Sequence, residues 1–283
     1  MNRLPGGGKK PETALFFRVS WYDYGARMYD PALAIFHTQD RFAEEFAEWS
    51  PYHYANNNPI LNIDINGDST IISGAESAAA LQQLQAATST ELTITQNASG
   101  TLNATYIGGG TPSDGAQQVM DAANSSTITV NVVAENTKTT STGNLYIGGA
   151  FMGNTVTKTA IGNTVVANQE VNPQVLGKMS NTNLSPGADM LHEVTEAYQG
   201  AKISQASGVS SPAAGQAGSV YTQAHNAATP QSGKVYQSVY NASGQEIHPP
   251  YAGAARVDYA TSPYLAPIGA SKPQGLVIIM TYP

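Results

Sequence analysis

A break in composition near residue 68 constrains this chain more than any other feature. Residues 1–68 hold both tryptophans, Trp21 and Trp49, with a dense set of Tyr and Phe, whereas the remainder is rich in Ser, Thr, Ala, Asn and Gly. So short an aromatic segment cannot bury its own rings, because small units leave too much of their surface in water. It needs a partner surface. The 283 residues accordingly divide into a segment at 1–68 and a larger domain at 69–283.

Several function classes fall away on composition. Charged residues make up only 12% of the chain, so its surface is built from neutral polar side chains. A formal net charge of -7 removes the positive field that a phosphate backbone or an anionic membrane attracts, so nucleic acid is not an expected partner. With no cysteine there is no disulfide framework, no thiolate metal site and no cysteine nucleophile. No run of about 18 apolar residues exists to span a bilayer, and the opening MNRLPGGGKK lacks the apolar core of a signal peptide.

Patterning in the second unit predicts an α+β domain. Ser73 to Glu76 reads as a capping box opening a helix through SAAALQQLQAA, and residues 91–107 read as a hairpin. A helix is expected at 113–124, strands in TITVNVVAE and GNTVVANQEV, and a helix over 191–201 started by Ser185-Pro186. ISQASGVSSPAAGQAG at 203–218 reads as a low-complexity loop, followed by a short helix in SVYTQAHNAA and a buried C-terminal strand in QGLVIIMTYP. Gly108 to Gly110 and Gly148-Gly149 lack the G-K-[ST] of a phosphate loop and read as turns.

The chemistry concentrates in LHEVTEAYQGA at 191–201. His192 and Glu196 are four apart and share a helix face, so they can present two ligands to one ion. Glu193, rotated about 100° around the axis, can reach a water beside that ion without ligating it. A glutamate stands where H-E-x-x-H helices carry their second histidine, and a carboxylate oxygen ligates zinc at nearly the imidazole distance. With a histidine as third ligand, the set is two His and one Glu, and zinc is the expected ion. His225, on the short helix after the flexible loop, is the favoured third ligand, with His248, before Pro249-Pro250, as the alternative. Asp189 is expected to stabilise the dipole at the helix start, and Tyr198 to lie in the core on the far side of the helix. Tyr251 and Tyr259 are either packed or placed to stabilise an oxyanion.

Three pieces of the first segment carry a family resemblance: YDYGARMYDP at 22–31, TQD at 38–40, and SPYHYANNNP at 50–59 running into IDINGD. Together they resemble the associated core that closes Rhs and YD-repeat proteins. That resemblance implies an upstream β-cage sealed by residues 1–68, and a C-terminal toxin at 69–283 delivered to a target cell by a specialised secretion system and met there by a cognate immunity protein. Ala34-Ile35 stand where the family carries Gly-Arg, and Ile65 and Asp68 replace the Pro and Leu of its self-cleavage motif. HEVTEAY is also similar to the H-E-x-x-[HE]-A-Y helix of zincin-type toxin domains. The expected fold is thus a zincin-like metallopeptidase domain behind a short Rhs-core segment, acting on a protein or peptide substrate. A non-catalytic binding or adhesion module and a metal-dependent cell-wall hydrolase are the competing expectations.

Overall fold

The computed structural model describes residues 21–23, 27–39, 50–52, 70–97, 99–125, 127–159, 162–262 and 276–283. Trp49, His53 and the stretch from Pro59 to Asp68 lie outside the described residues. Strands β1 (Tyr22–Asp23), β2 (Met28–Asp30) and β3 (Ile35–Phe36) form a small antiparallel sheet. Phe36 is fully buried there, with the Arg27 guanidinium 3.8 Å above its ring, and Asp30 accepts a hydrogen bond from the Trp21 indole.

The main body begins with β4 (Ile71–Ser73), helix α1 (Ser77–Thr88), the hairpin β5 (Leu92–Gln96) and β6 (Leu102–Tyr106), and α2 (Asp114–Ala123). It continues through β7 (Ile128–Ala134), β8 (Gly149–Thr159), β9 (Gly162–Val171), α3 (Pro173–Thr182), α4 (Ala188–Ser207) and α5 (Tyr221–Ala227). Strands β10 (Lys234–Asn241), β11 (Glu246–Ile247), β12 (Ala254–Ser262) and β13 (Val277–Tyr282) complete it. This is the α+β composition expected. No described helix is long and apolar enough to cross a membrane.

One four-stranded sheet has the order β4-β7-β9-β8, with β4, β7 and β9 parallel and β8 antiparallel at the edge. Val165, Ala167, Gln169 and Val171 alternate inward along β9, and α4 packs across β9, β8 and β7. Met190, Val194, Ala197 and Ala201 of α4 join Val130, Val132 and the α1 and α2 side chains in the main core. The second sheet, β11-β10-β12-β13, meets α3 through Val175, Met179, Val257 and Tyr259 in a smaller core. Helix α3 thus joins the two cores, with Leu176 in the main one and Val175 and Met179 in the smaller one.

Helix starts differ from the sequence reading in two places. Ser73 ends β4, and α1 begins at Ser77 behind Glu76 with no side-chain cap. Helix α4 is capped by Gly187 in a left-handed conformation, not by Ser185. A Cβ at Gly187 would lie 1.9 Å from the Gln83 carbonyl of α1, so backbone contact between the helices decides this residue. The expected loop at 203–218 is also shorter and more ordered. Helix α4 runs to Ser207, and the following strap bonds along β8: Asn154 N donates to Ser211 O, Ser211 N to Asn154 O, and Ala214 N to Phe151 O. The C-terminal strand forms as expected, but it is an edge strand with Val277 and Ile278 exposed.

Candidate metal centre

Helix α4 carries His192 and Glu196 on one face, and α5 brings His225 against them from 33 residues downstream of His192. The ligand-capable atoms of the three lie within 4.8 Å of one another. His192 Nε2 is 3.4 Å from Glu196 Oε2, His225 Nδ1 is 2.7 Å from the same oxygen, and the two ring nitrogens are 3.0 Å apart. Three ligands about 2.0–2.1 Å from a tetrahedral zinc would stand roughly 3.4 Å apart. The His192–Glu196 pair has that spacing, and His225 must withdraw by less than an ångström to match it. The donor set of two imidazoles and one carboxylate suits zinc.

His192 is held from behind. Its Nδ1 lies against the Thr229 carbonyl, which can only accept, so the proton sits on Nδ1 and the Nε2 lone pair faces Glu196 and His225. Thr229 is fixed in turn by its backbone N–H donating to Thr195 Oγ1 at 3.1 Å. Burial works against a charged His192, but the Glu196 hydrogen bond, the Glu193 carboxyl and the Thr229 carbonyl outweigh it and lift its pKa above the usual value. Asp189 belongs to the same brace. It is fully buried, accepts from Ser180 Oγ at 2.6 Å and from Ser232 N at 2.9 Å, and so ties α4 to α3 and to the loop after α5. Its role is thus wider than the dipole charge expected from sequence.

Glu193 is buried beside the triad without joining it. Gln169 of β9 donates through Nε2 to Glu193 Oε2 at 2.5 Å and to Glu196 Oε1 at 3.1 Å, one amide orienting both carboxylates. Burial, and then repulsion from Glu196, push the Glu193 pKa up to about 8. Gly149 makes room for this carboxyl. A Cβ there would stand 1.9 Å from Glu193 Cδ, so the Gly148-Gly149 pair is a close approach as well as a turn.

A cavity of about 590 Å³ opens onto Glu193, Glu196 and His225. Its walls come from the 140–147 loop, the start of β8, the strap and the start of β10. His248 is exposed and outside the ligand cluster, so among the described residues His225 alone completes the set. Tyr198 lies in the main core as expected. Tyr259 is fully buried, donates to the Tyr146 carbonyl, and does not border the cavity; nor does Tyr251.

Gln169, Thr229 and Gly149 were missed from sequence. Only Gln169 had a usable signal, a polar residue in register with Val165, Ala167 and Val171 on the core-facing side of β9. The chain matches no protein family, no curated protein and no solved structure.

Proposed function

We propose that the chain is a zinc-dependent hydrolase, a peptidase that cleaves amide bonds, and that it serves as the toxin of an Rhs-type secreted effector. The convergence of His192, Glu196 and His225, with buried Glu193 beside them at the mouth of a cavity, carries this reading. The first three hold zinc. Zinc, when bound, lowers the pKa of water toward about 7 and polarises a carbonyl. Glu193 takes the proton from the attacking water and passes it to the leaving amine, while Gln169 holds its carboxyl in line. Burial raises the Glu193 pKa in the metal-free chain, and a cation held beside it would draw that pKa back down, leaving a carboxylate that can accept a proton and return it. The Rhs part rests on YDYGARMYDP, TQD and SPYHYANNNP, and brings with it an upstream cage, a cognate immunity protein and delivery to a target cell as partners and route.

Elemental analysis of the purified chain tests the reading, with about one zinc per chain expected from one three-ligand site. Replacing His192, Glu196 or His225 with Ala lowers zinc affinity, whereas Glu193→Gln keeps the metal and loses hydrolysis by about a hundredfold or more. Protein prepared without chelator that carries no metal and binds none on addition refutes the hydrolase and favours a non-catalytic binding module.

A further inference from the structure

The cavity in front of the triad has a charge pattern that the hydrolytic machinery does not use. Its charged lining residues are Glu193, Glu196 and His225 at the candidate metal centre and, apart from them, Lys234. Lys234 opens β10, is exposed, and has no ion-pair partner among the described residues. Its backbone is nonetheless firmly placed. Ser232, two residues earlier, donates to Asp189 and accepts from Asn183 Nδ2 at 3.1 Å, and Lys234 itself pairs with Ser262 of β12. The same lining holds the half-buried Leu145, Ile147, Tyr221 and Tyr236 beside the neutral polar Thr140, Thr142, Asn144, Gln216 and Gln231. An unpaired ammonium on a rigid base, facing such a cavity, gains most from a carboxylate on the ligand.

The sheet edge supplies the second half of the inference. An extended peptide binds most readily by adding a strand to a free edge, through backbone hydrogen bonds that read no side chain. Here β8 is that edge, and the strap already bonds to Phe151 O and to both backbone groups of Asn154, while Ser210 Oγ accepts from Val156 N. Backbone addition over this stretch is closed, so side-chain or terminal groups must supply the affinity. The cavity volume of about 590 Å³ is that of a small-ligand site and holds only a short piece of chain.

We propose that the cavity takes short peptide segments that carry a carboxylate, bound by Lys234, next to an apolar or aromatic side chain held against Tyr221 and Tyr236. The proposal rests on the zinc-peptidase reading. The carboxylate comes from an acidic side chain or from a free C-terminus, and both present the same chemistry to Lys234.

Two matched pairs of peptidyl hydroxamates test it by calorimetry on the zinc-loaded full chain. One pair has Phe followed by Glu or by Gln with an amidated end; the other has Phe-Ala with a free or an amidated C-terminus. At least one carboxylate probe is expected to bind about tenfold tighter than its neutral partner, the scale of a hydrogen bond to a charged group. The pair that shows the difference identifies the source of the carboxylate. The difference should vanish in Lys234→Met and persist in Lys234→Arg, with zinc content and melting temperature unchanged in both. Equal affinities within both pairs, or a preference that survives Lys234→Met, overturn the proposal. A chain that holds zinc but binds no probe overturns it too and leaves the metal centre standing, whereas a chain that holds no zinc overturns the peptidase reading on which it depends.

Discussion

Replacing Gln169 with Met keeps the length of the side chain and removes both of its donors. In the metal-free protein the buried Glu193 carboxyl then loses its 2.5 Å partner and Glu196 its 3.1 Å one. Each loss costs about 1–3 kcal/mol when the group stays buried. Gln169 Oε1, however, is itself buried without a partner, and deleting it returns a cost of the same size. The net destabilisation expected is therefore about 1–3 kcal/mol, one loss out of two being offset. The effect on metal is separate, because Gln169 holds Glu196 Oε1 and leaves Oε2 directed at the histidines. Loss of such an outer partner weakens metal binding about 10–100-fold, or about 1.4–2.8 kcal/mol. Competition of the folded protein against a chelating zinc dye measures this, and melting curves with and without zinc separate affinity from stability. Gln169→Glu, nearly the same shape with a third carboxyl in place of the donors, should be worse on both counts. If Gln169→Met binds zinc within twofold of the parent chain and melts at the same temperature, the amide does not orient the two glutamates and the reasoning fails.

Other perturbations reach the site from different sides. Gly149→Ala places a Cβ 1.9 Å from Glu193 Cδ, so the carboxyl must leave its position at an overpacking cost of about 1–3 kcal/mol; hydrolysis should be lost while zinc is retained, and normal turnover would refute the assigned position of Glu193. Glu193 has a folded pKa near 8 against 4.5 in the unfolded chain, so its stabilisation is complete below about pH 4.5 and is lost as pH rises through 8. The raised pKa of His192 acts in the same direction. Metal-free protein should therefore melt at progressively lower temperature from pH 5 to pH 9, less steeply in Glu193→Gln, and an unchanged slope in that variant counts against the buried neutral carboxyl. His248→Ala should leave zinc affinity untouched, since His248 is exposed and outside the cluster; a marked drop would return it to the ligand set.

Local signals were readable wherever one residue's neighbours in sequence are also its neighbours in space. Strand β9 falls at 162–171 as expected, and the i, i+4 spacing of His192 and Glu196 does put both on one helix face. Helix α2, expected at 113–124 and found at Asp114–Ala123, and the hairpin β5–β6 belong to the same class. Strand β8, helix α3 and, in the second sheet, strands β10 to β12 were not recognised. Helix α3 did carry a start signal in Asn172-Pro173, whose Asn side chain accepts from Gln174 N and Val175 N. Strand β8 reads poorly because its Gly, Asn and Thr residues are chosen by contact with α4 and the strap, as Gly149 against Glu193 and Asn154 against Gly200 show. Thr229 was invisible for a simpler reason. It contributes its backbone carbonyl to His192, and a backbone carbonyl leaves no mark on residue identity.

The strap after α4 ties two liabilities of the fold to one piece of chain. An edge strand with open N–H and C=O groups is a template for pairing with another molecule, and β8 would present one if Asn154 and Phe151 were not already bonded to residues 211–214. The same residues lead directly into α5 and so set where His225 can stand. Residues 214–218 at the crest of the strap are exposed, where a protease would find its easiest cut. A single nick there would loosen the arm that carries His225 and uncover a sticky sheet edge together, so loss of metal and onset of aggregation should arrive as one event.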